Sequence, residues 1–386
     1  TLYSFSMSNL SDLKEAFSKV SGSKPRVFRS PGRINLIGDH TDYNLGWVLP
    51  AAIDRYVTLA IAPNGKNHFS VKALDIDESL EHSLEKGDVK TLEHWSSYFI
   101  GVTALLQSEG IKINVFDCVF TSNIPLGAGL SSSAAICCCF SFALNELFNG
   151  TLSRAELVKI AQQTEHLFVG LQCGTMDQTA SLFGKKDHVL KIDCQSQKIT
   201  YSKLHLQDYT FIICDSQVKH SLASSGYNDR KNECDSAAEF FGVSSLRDIT
   251  TVMLKESKGL SSVIRKRVEF VIAENDRVTN GSELLEKGEF EAFGQLIYDS
   301  HAGLSQMYEV SCEEMDYLVE LTNKMPFVLG SRMMGGGFGG CTINLVKSVN
   351  ADELKEKISL AYRNRFKQTP RMFEMNISEG TEELMR

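Results

Sequence analysis

Arg33, Asp39, His40 and Asp42 stand close together early in the chain, with the hydroxyl of Thr41 among them. Asp and His accept hydrogen bonds from hydroxyl groups, and an arginine clamps an anion. The cluster suits a polyhydroxylated ligand beside a negative charge. A surface loop with capping aspartates is the plainer alternative. A metal site on Asp39, His40 and Asp42 is disfavoured, because no further His or Cys cluster supports it. A second stretch, Pro125 to Ala135, reads Pro-Leu-Gly-Ala-Gly-Leu-Ser-Ser-Ser-Ala-Ala. Gly127 and Gly129 let the backbone turn tightly and approach a ligand. Free amides at the start of the helix that follows, and its dipole, favour an anion. The serines add donors and one hard oxygen for Mg²⁺. Taken alone, the stretch is equally a glycine turn with an ordinary serine N-cap. Glu165 matters if it faces this loop, where a carboxylate and a serine oxygen can share Mg²⁺. Asp177 reads first as a helix N-cap and second as a carboxylate held against a substrate hydroxyl. Tyr227 is a packing residue or a ligand donor.

The elements that must position these groups are legible in outline. Leu10 to Val20 reads as a helix. Val27 to Arg29 reads as a short strand, Ser30-Pro31-Gly32 as a turn, and an apolar strand bearing Arg33 follows. Further strands are expected over residues 47–50, 56–62 and 68–74. Leu92, Trp95, Phe99, Val102 and Leu106 recur at a helical period; Trp95 reads as core first and as a stacking ring second. A strand over 113–120 leads into the glycine loop, and Ala134 to Phe148 reads as a buried helix. Ser153 to Glu156 is a capping-box sequence opening a helix that ends at a Gly170 C-cap. Strands at 188–194 and 209–214 precede a region of long helices. A polar segment from Lys219 leads into the first of these. Gly335, Gly337 and Gly340 formally match GxGxxG. The stretch leads into the strand Cys341 to Val346 and not a helix, which rejects a dinucleotide fingerprint. So many glycines imply backbone packed closely against another segment, with the phosphate loop as the candidate.

With 386 residues the chain is long for one core, so two domains or fused lobes are expected, 1–200 and 201–386. A net charge of −8 argues against nucleic acid as a partner. No apolar stretch reaches the length of a membrane span. No leader of a basic region followed by an apolar one is seen, and ten cysteines without CxxC spacing read as thiols in a reducing cytoplasm.

Gly32 to Asn44 resembles the galactokinase signature. Pro125 to Ala135 is similar to the phosphate loop of the GHMP small-molecule kinases, and Gly335 to Cys341 to their third motif. The likeness spans nearly the whole chain from Arg26. It implies an α+β, two-lobed GHMP kinase fold, with an N-terminal mixed β/α lobe, a C-terminal α+β lobe and the active site between them. It implies transfer of the ATP γ-phosphoryl group to the anomeric hydroxyl of α-D-galactose. Asp177 then matches the base or orienting carboxylate, and Arg33 the group that orients it and stabilises transition-state charge. Arg33, Asp39, His40, Thr41, Asp42, Gly174, Asp177 and Tyr227 match sugar-side positions. Gly127, Ala128, Gly129, Leu130, Ser131, Ser132 and Ser133 match the nucleotide loop, and Trp95 an adenine-side aromatic. Ser133 and Glu165 match the Mg²⁺ positions. A monomer is expected.

The signature usually carries Glu where this chain has Asp39. One methylene less should lengthen a direct bond to a sugar hydroxyl or admit a water, which bears on sugar choice more than on activity. A kinase for another sugar and a silent sugar and ATP sensor are the competing readings. The retained serines, Arg33 and Asp177 argue against the sensor.

Overall fold

A computed structural model describes residues 10–84, 95–218 and 223–385. Leu92 and the polar segment 219–222 lie outside them. The first lobe carries a six-stranded sheet in the order Glu382–Met385, Arg26–Asn35, Pro50–Pro63, Phe116–Ser122, Phe69–Ala73, Glu78–His82. The Phe69–Ala73 and Phe116–Ser122 pair is parallel and the others are antiparallel. A small three-stranded sheet joins Trp47–Val48 to His188–Asp193 and Lys198–Lys203. The second lobe carries an antiparallel sheet, Val328–Met334, Cys341–Lys347, Tyr209–Asp215 and Arg371–Glu374, with long helices such as Ser262–Lys287 and Phe290–Gln306.

The helix Ser132–Leu147 sits at the centre of the first lobe, against the strands Arg26–Asn35 and Pro50–Pro63 and three helices. A helix surrounded in this way must be apolar on every side. Its consecutive cysteines, Cys137 to Cys139, are small side chains that fill that core. All ten cysteines are free. One contiguous apolar core takes residues from both lobes, from Phe28 and Phe140 to Phe211, Phe293 and Ile343. The lobes are therefore fused rather than separate. The final strand crosses back to pair Val27 with Met385 at the edge of the first sheet.

The expected Ser30-Pro31-Gly32 turn is instead an irregularity within one continuous strand, Arg26–Asn35. Pairing runs from Pro31 opposite Tyr56 to Arg33 opposite Ala52. Pro31 has no N–H to give the ladder. A Cβ on Gly32 would lie 2.6 Å from the Leu130 carbonyl, so glycine here lets the strand touch the phosphate loop. Among the described residues, no helix is long and apolar enough to cross a membrane.

Candidate active site

A cavity of about 510 Å³ opens where the two lobes meet. From the first lobe it is lined by Arg33, Asp39, His40, Asp42, the Gly127 to Ser133 loop and Asp177; from the second by Tyr227 and the Gly335 to Gly340 turn.

Asp177 lies in the first turn of the helix Met176–Phe183, whose N-cap is Thr175, so the expected capping role fails. Its carboxylate is instead held from two sides. Arg33 Nε donates to Oδ1 at 2.8 Å and Nη2 to Oδ2 at 3.0 Å. The Ser131 hydroxyl donates to the same Oδ2. Arg33 also donates to the Gly129 carbonyl at 2.6 Å, which fastens the glycine loop to the strand. Such a two-pronged arginine grip fixes orientation as well as charge.

The glycine loop takes the form its sequence suggests. Gly127 and Gly129 have φ of 75° and 69°. Ser131 heads the helix with φ 60° and makes no capping bond, which removes the alternative of an ordinary serine cap. Its hydroxyl has been diverted to Asp177. The side chains of Ala128 and Leu130 are buried in the core, so these two residues contribute backbone to the cradle. The glycine-rich turn packs where expected. A Cβ on Gly129 would lie 3.2 Å from the Met334 carbonyl, and one on Gly335 3.3 Å from the Gly129 carbonyl.

Behind the loop, Ser133 Oγ donates to Glu165 Oε1 at 2.7 Å. Glu165 stands where the helix Arg154–Thr164 widens into a π-helical turn, Glu165–Val169, closed by Gly170 at φ 82°. Such turns re-aim a side chain and recur at functional sites. Burial pushes the Glu165 carboxyl up to about 7, against the lowering effect of Ser133. Gln178, unremarked in the sequence, donates its amide to the other carboxylate oxygen.

The sugar-signature loop is tied down by backbone contacts. The Thr41 hydroxyl bridges the Gly38 and Trp47 carbonyls at 2.8 and 2.7 Å. Thr41 thus shapes the loop and does not line the cavity. The helix Ser262–Lys287 reaches in with Glu274, which accepts from Gly38 N at 2.9 Å, and Asn275, which accepts from Trp47 N at 2.9 Å. Burial, reinforced by Asp177, raises the Asp42 carboxyl to about 7. Burial lowers His40 to about 4, so its imidazole is neutral at pH 7. Its Nδ1 lies 2.8 Å from the Tyr43 hydroxyl. Tyr227 stacks at a tilt beside His40, with ring centres 5.3 Å apart. Gly174 is not in the cavity wall; it leaves room for the Asp42 carboxylate, which a Cβ at that position would strike.

Trp95 lies outside the cavity lining; it donates its indole N–H to Glu78 at 2.6 Å and packs on Phe99 and Phe120. This is the packing ring of the helical stripe, the first of the two roles read for it. Arg332 was missed. It is fully buried and pairs with Asp39 at 2.7 Å. The available signal was a lone charge in the otherwise uncharged strand Val328–Met334.

Three sequence profiles match the chain. The galactokinase galactose-binding signature matches residues 15–63, the GHMP kinases N terminal domain 97–185, and the GHMP kinases C terminal 282–364. A galactokinase of Thermotoga neapolitana is 41% identical over 356 residues, covering 92% of this chain and 99% of that protein. The solved structure of Lactococcus lactis galactokinase complexed with galactose superposes with a TM-score of 0.93 at 32% identity, covering 97% of this chain and 100% of that one. A mevalonate kinase structure, at TM-score 0.61 and 21% identity over 92% of this chain and 99% of that one, shares the fold.

Proposed function

Because this chain belongs to the galactokinase family of the GHMP kinases, we propose that its cavity transfers the γ-phosphoryl group of ATP to the anomeric hydroxyl of galactose. The activity is ATP-dependent galactose phosphorylation. The observation that carries the residue assignment is the Arg33–Asp177 pair, which meets the sugar-signature carboxylates and the glycine loop in one cavity.

Phosphoryl transfer asks mainly for positioning and for neutralisation of charge spread over the phosphoryl oxygens. The helix start at Ser132 and the glycine-loop amides cradle the phosphates. Arg33 supplies fixed positive charge beside the reacting centre. Asp39, Asp42, His40 and Tyr227 receive the sugar. The sugar oxygen bonds to the γ-phosphorus as the bond to the bridging oxygen breaks and ADP departs. Asp177 already accepts three hydrogen bonds, so it first orients the attacking hydroxyl. It takes the proton as the new O–P bond completes.

Ser133 and Glu165 would hold Mg²⁺. A carboxylate and a hydroxyl in direct contact suit a hard cation that keeps waters and takes its remaining ligands from phosphates. Mg²⁺ bound there would neutralise phosphate charge. Ten free thiols support a cytoplasmic setting.

ADP release across a panel of monosaccharides, with ATP and Mg²⁺, tests the reading. Galactose should be the preferred acceptor. Absence of turnover with galactose refutes it.

A further inference from the structure

Both oxygens of the Asp39 carboxylate are held by the protein itself. Its Oδ2 accepts from Gly335 N at 3.0 Å and lies 2.7 Å from Arg332 Nη2 in an ion pair. Its Oδ1 accepts from Asn35 Nδ2 at 2.8 Å. A carboxylate has about four acceptor directions. Two are taken by hydrogen bonds and Arg332 pairs with Oδ2 as an ion, while Asp39 lines the cavity, which leaves a lone pair for a ligand hydroxyl. Arg332 also donates to the carbonyls of Leu36 at 2.9 Å and Asn35 at 2.6 Å. The strand that carries the sugar signature is thus gripped by an arginine from the opposite lobe. A third guanidinium nitrogen, Nη1, is buried without a partner. A buried charge left partly unsatisfied is poor as a stabilising device, because desolvation offsets much of the attraction. It makes sense as a device for direction.

We propose that Arg332 is a positioning residue for sugar recognition: it draws the short Asp39 side chain toward the glycine-rich turn, so that one lone pair is presented to a sugar hydroxyl. This rests on the galactokinase reading above. Arg332 does not itself line the cavity and acts through Asp39. The pairing also accounts for the departure at this position. A carboxylate one methylene shorter is set by Arg332 and Gly335 from behind, and does not need to reach for the sugar unaided.

The test uses the full chain with Arg332→Met, Arg332→Lys, Asp39→Asn and the double variant Arg332→Met/Asp39→Asn. Steady-state kinetics are run against galactose and against ATP, and galactose binding is measured by calorimetry. Arg332→Met should raise the galactose KM and Kd about 10-fold or more, the loss expected when a hydrogen bond to a charged group is misdirected. The ATP KM should stay within about twofold and kcat within about threefold, since the Arg33–Asp177 pair is untouched. Arg332→Lys should recover part of the galactose affinity, because an ammonium restores the charge but not the fork. The double variant should lose less than the two single losses multiplied. If Arg332→Met does not fold, Arg332→Lys carries the test through its galactose Kd. A lowered melting temperature with unchanged galactose KM and Kd overturns the proposal. So does an equal loss toward ATP and galactose. If the unmodified chain fails to turn over galactose, the galactokinase reading falls instead.

Discussion

Replacing Gly174 by Ala should weaken galactose binding without touching the chemistry. Gly174 has an ordinary backbone, outside the left-handed region, so alanine meets no conformational barrier there. The obstacle is Asp42. The added Cβ would overlap one carboxylate oxygen and lie 2.7 Å from the Asp42 Cβ. Ordinary carbon contacts are about 3.5–4.0 Å, so the Asp42 side chain must retreat by roughly an ångström. That distance breaks a hydrogen bond to a ligand hydroxyl. A hydrogen bond to a charged group contributes about 1.5–3 kcal/mol, which corresponds to roughly a 10- to 100-fold rise in galactose KM. Overpacking also costs about 1–3 kcal/mol of stability. The Arg33–Asp177 pair does not depend on Gly174, so kcat and the ATP KM should change little. Steady-state kinetics with saturating ATP, together with a thermal melt, measure all three effects. A folded Gly174→Ala enzyme with the parent's galactose KM would refute both the steric argument and the assignment of Asp42 to the sugar.

Other expectations concern the carboxylates. Asp177→Asn should nearly abolish turnover while galactose binding stays measurable by calorimetry; turnover near the parent's removes Asp177 from the mechanism. Asp42 and Glu165 have folded-state values of about 7, above their ordinary 3.8 and 4.5. Between about pH 4 and 7 the folded state therefore binds more protons than the unfolded one. Stability of the unliganded protein should fall as pH rises through that window, read as melting temperature at pH 5 to 8. Glu165→Gln should flatten that profile, since it removes one of the two raised carboxyls, and the unpartnered Gln178 amide oxygen can accept from the new amide. It should also raise the Mg²⁺ concentration needed for half-maximal activity about 10-fold or more. Parent-like Mg²⁺ dependence in this variant would exclude Glu165 from the metal site.

Local chemistry made the candidate site readable where the requirement is backbone geometry or a run of adjacent polar residues. Gly127 and Gly129 are legible because tight turns favour glycine, and Gly32 to Asn44 because its polar groups are consecutive. The capping box at Ser153 and the left-handed Gly170 are equally local, and both form as expected. The structural role of Asp177 is not legible in sequence, because an N-cap and a first-turn residue differ by only a position or two. The difference lies in the partner, Arg33, which is far away along the chain. Trp95 was ambiguous for the same reason: its spacing cannot say whether the ring faces a cavity or Phe99 and Phe120.

Residue order is enough to read the family, the buried helix behind the phosphate loop and the residues with chemistry to offer. Residue type and short spacing carry that information, because caps, glycine turns and apolar periodicity act within a few residues. Tertiary structure alone decided how those residues are aimed. It placed Ser131 on Asp177 instead of on its own helix, set Ser133 against Glu165, and cleared space for Asp42 at Gly174. It also brought Arg332 from the second lobe onto Asp39. Each of these contacts joins segments distant in sequence. Their directions follow from how two fused lobes pack around one core, and no local rule encodes that packing.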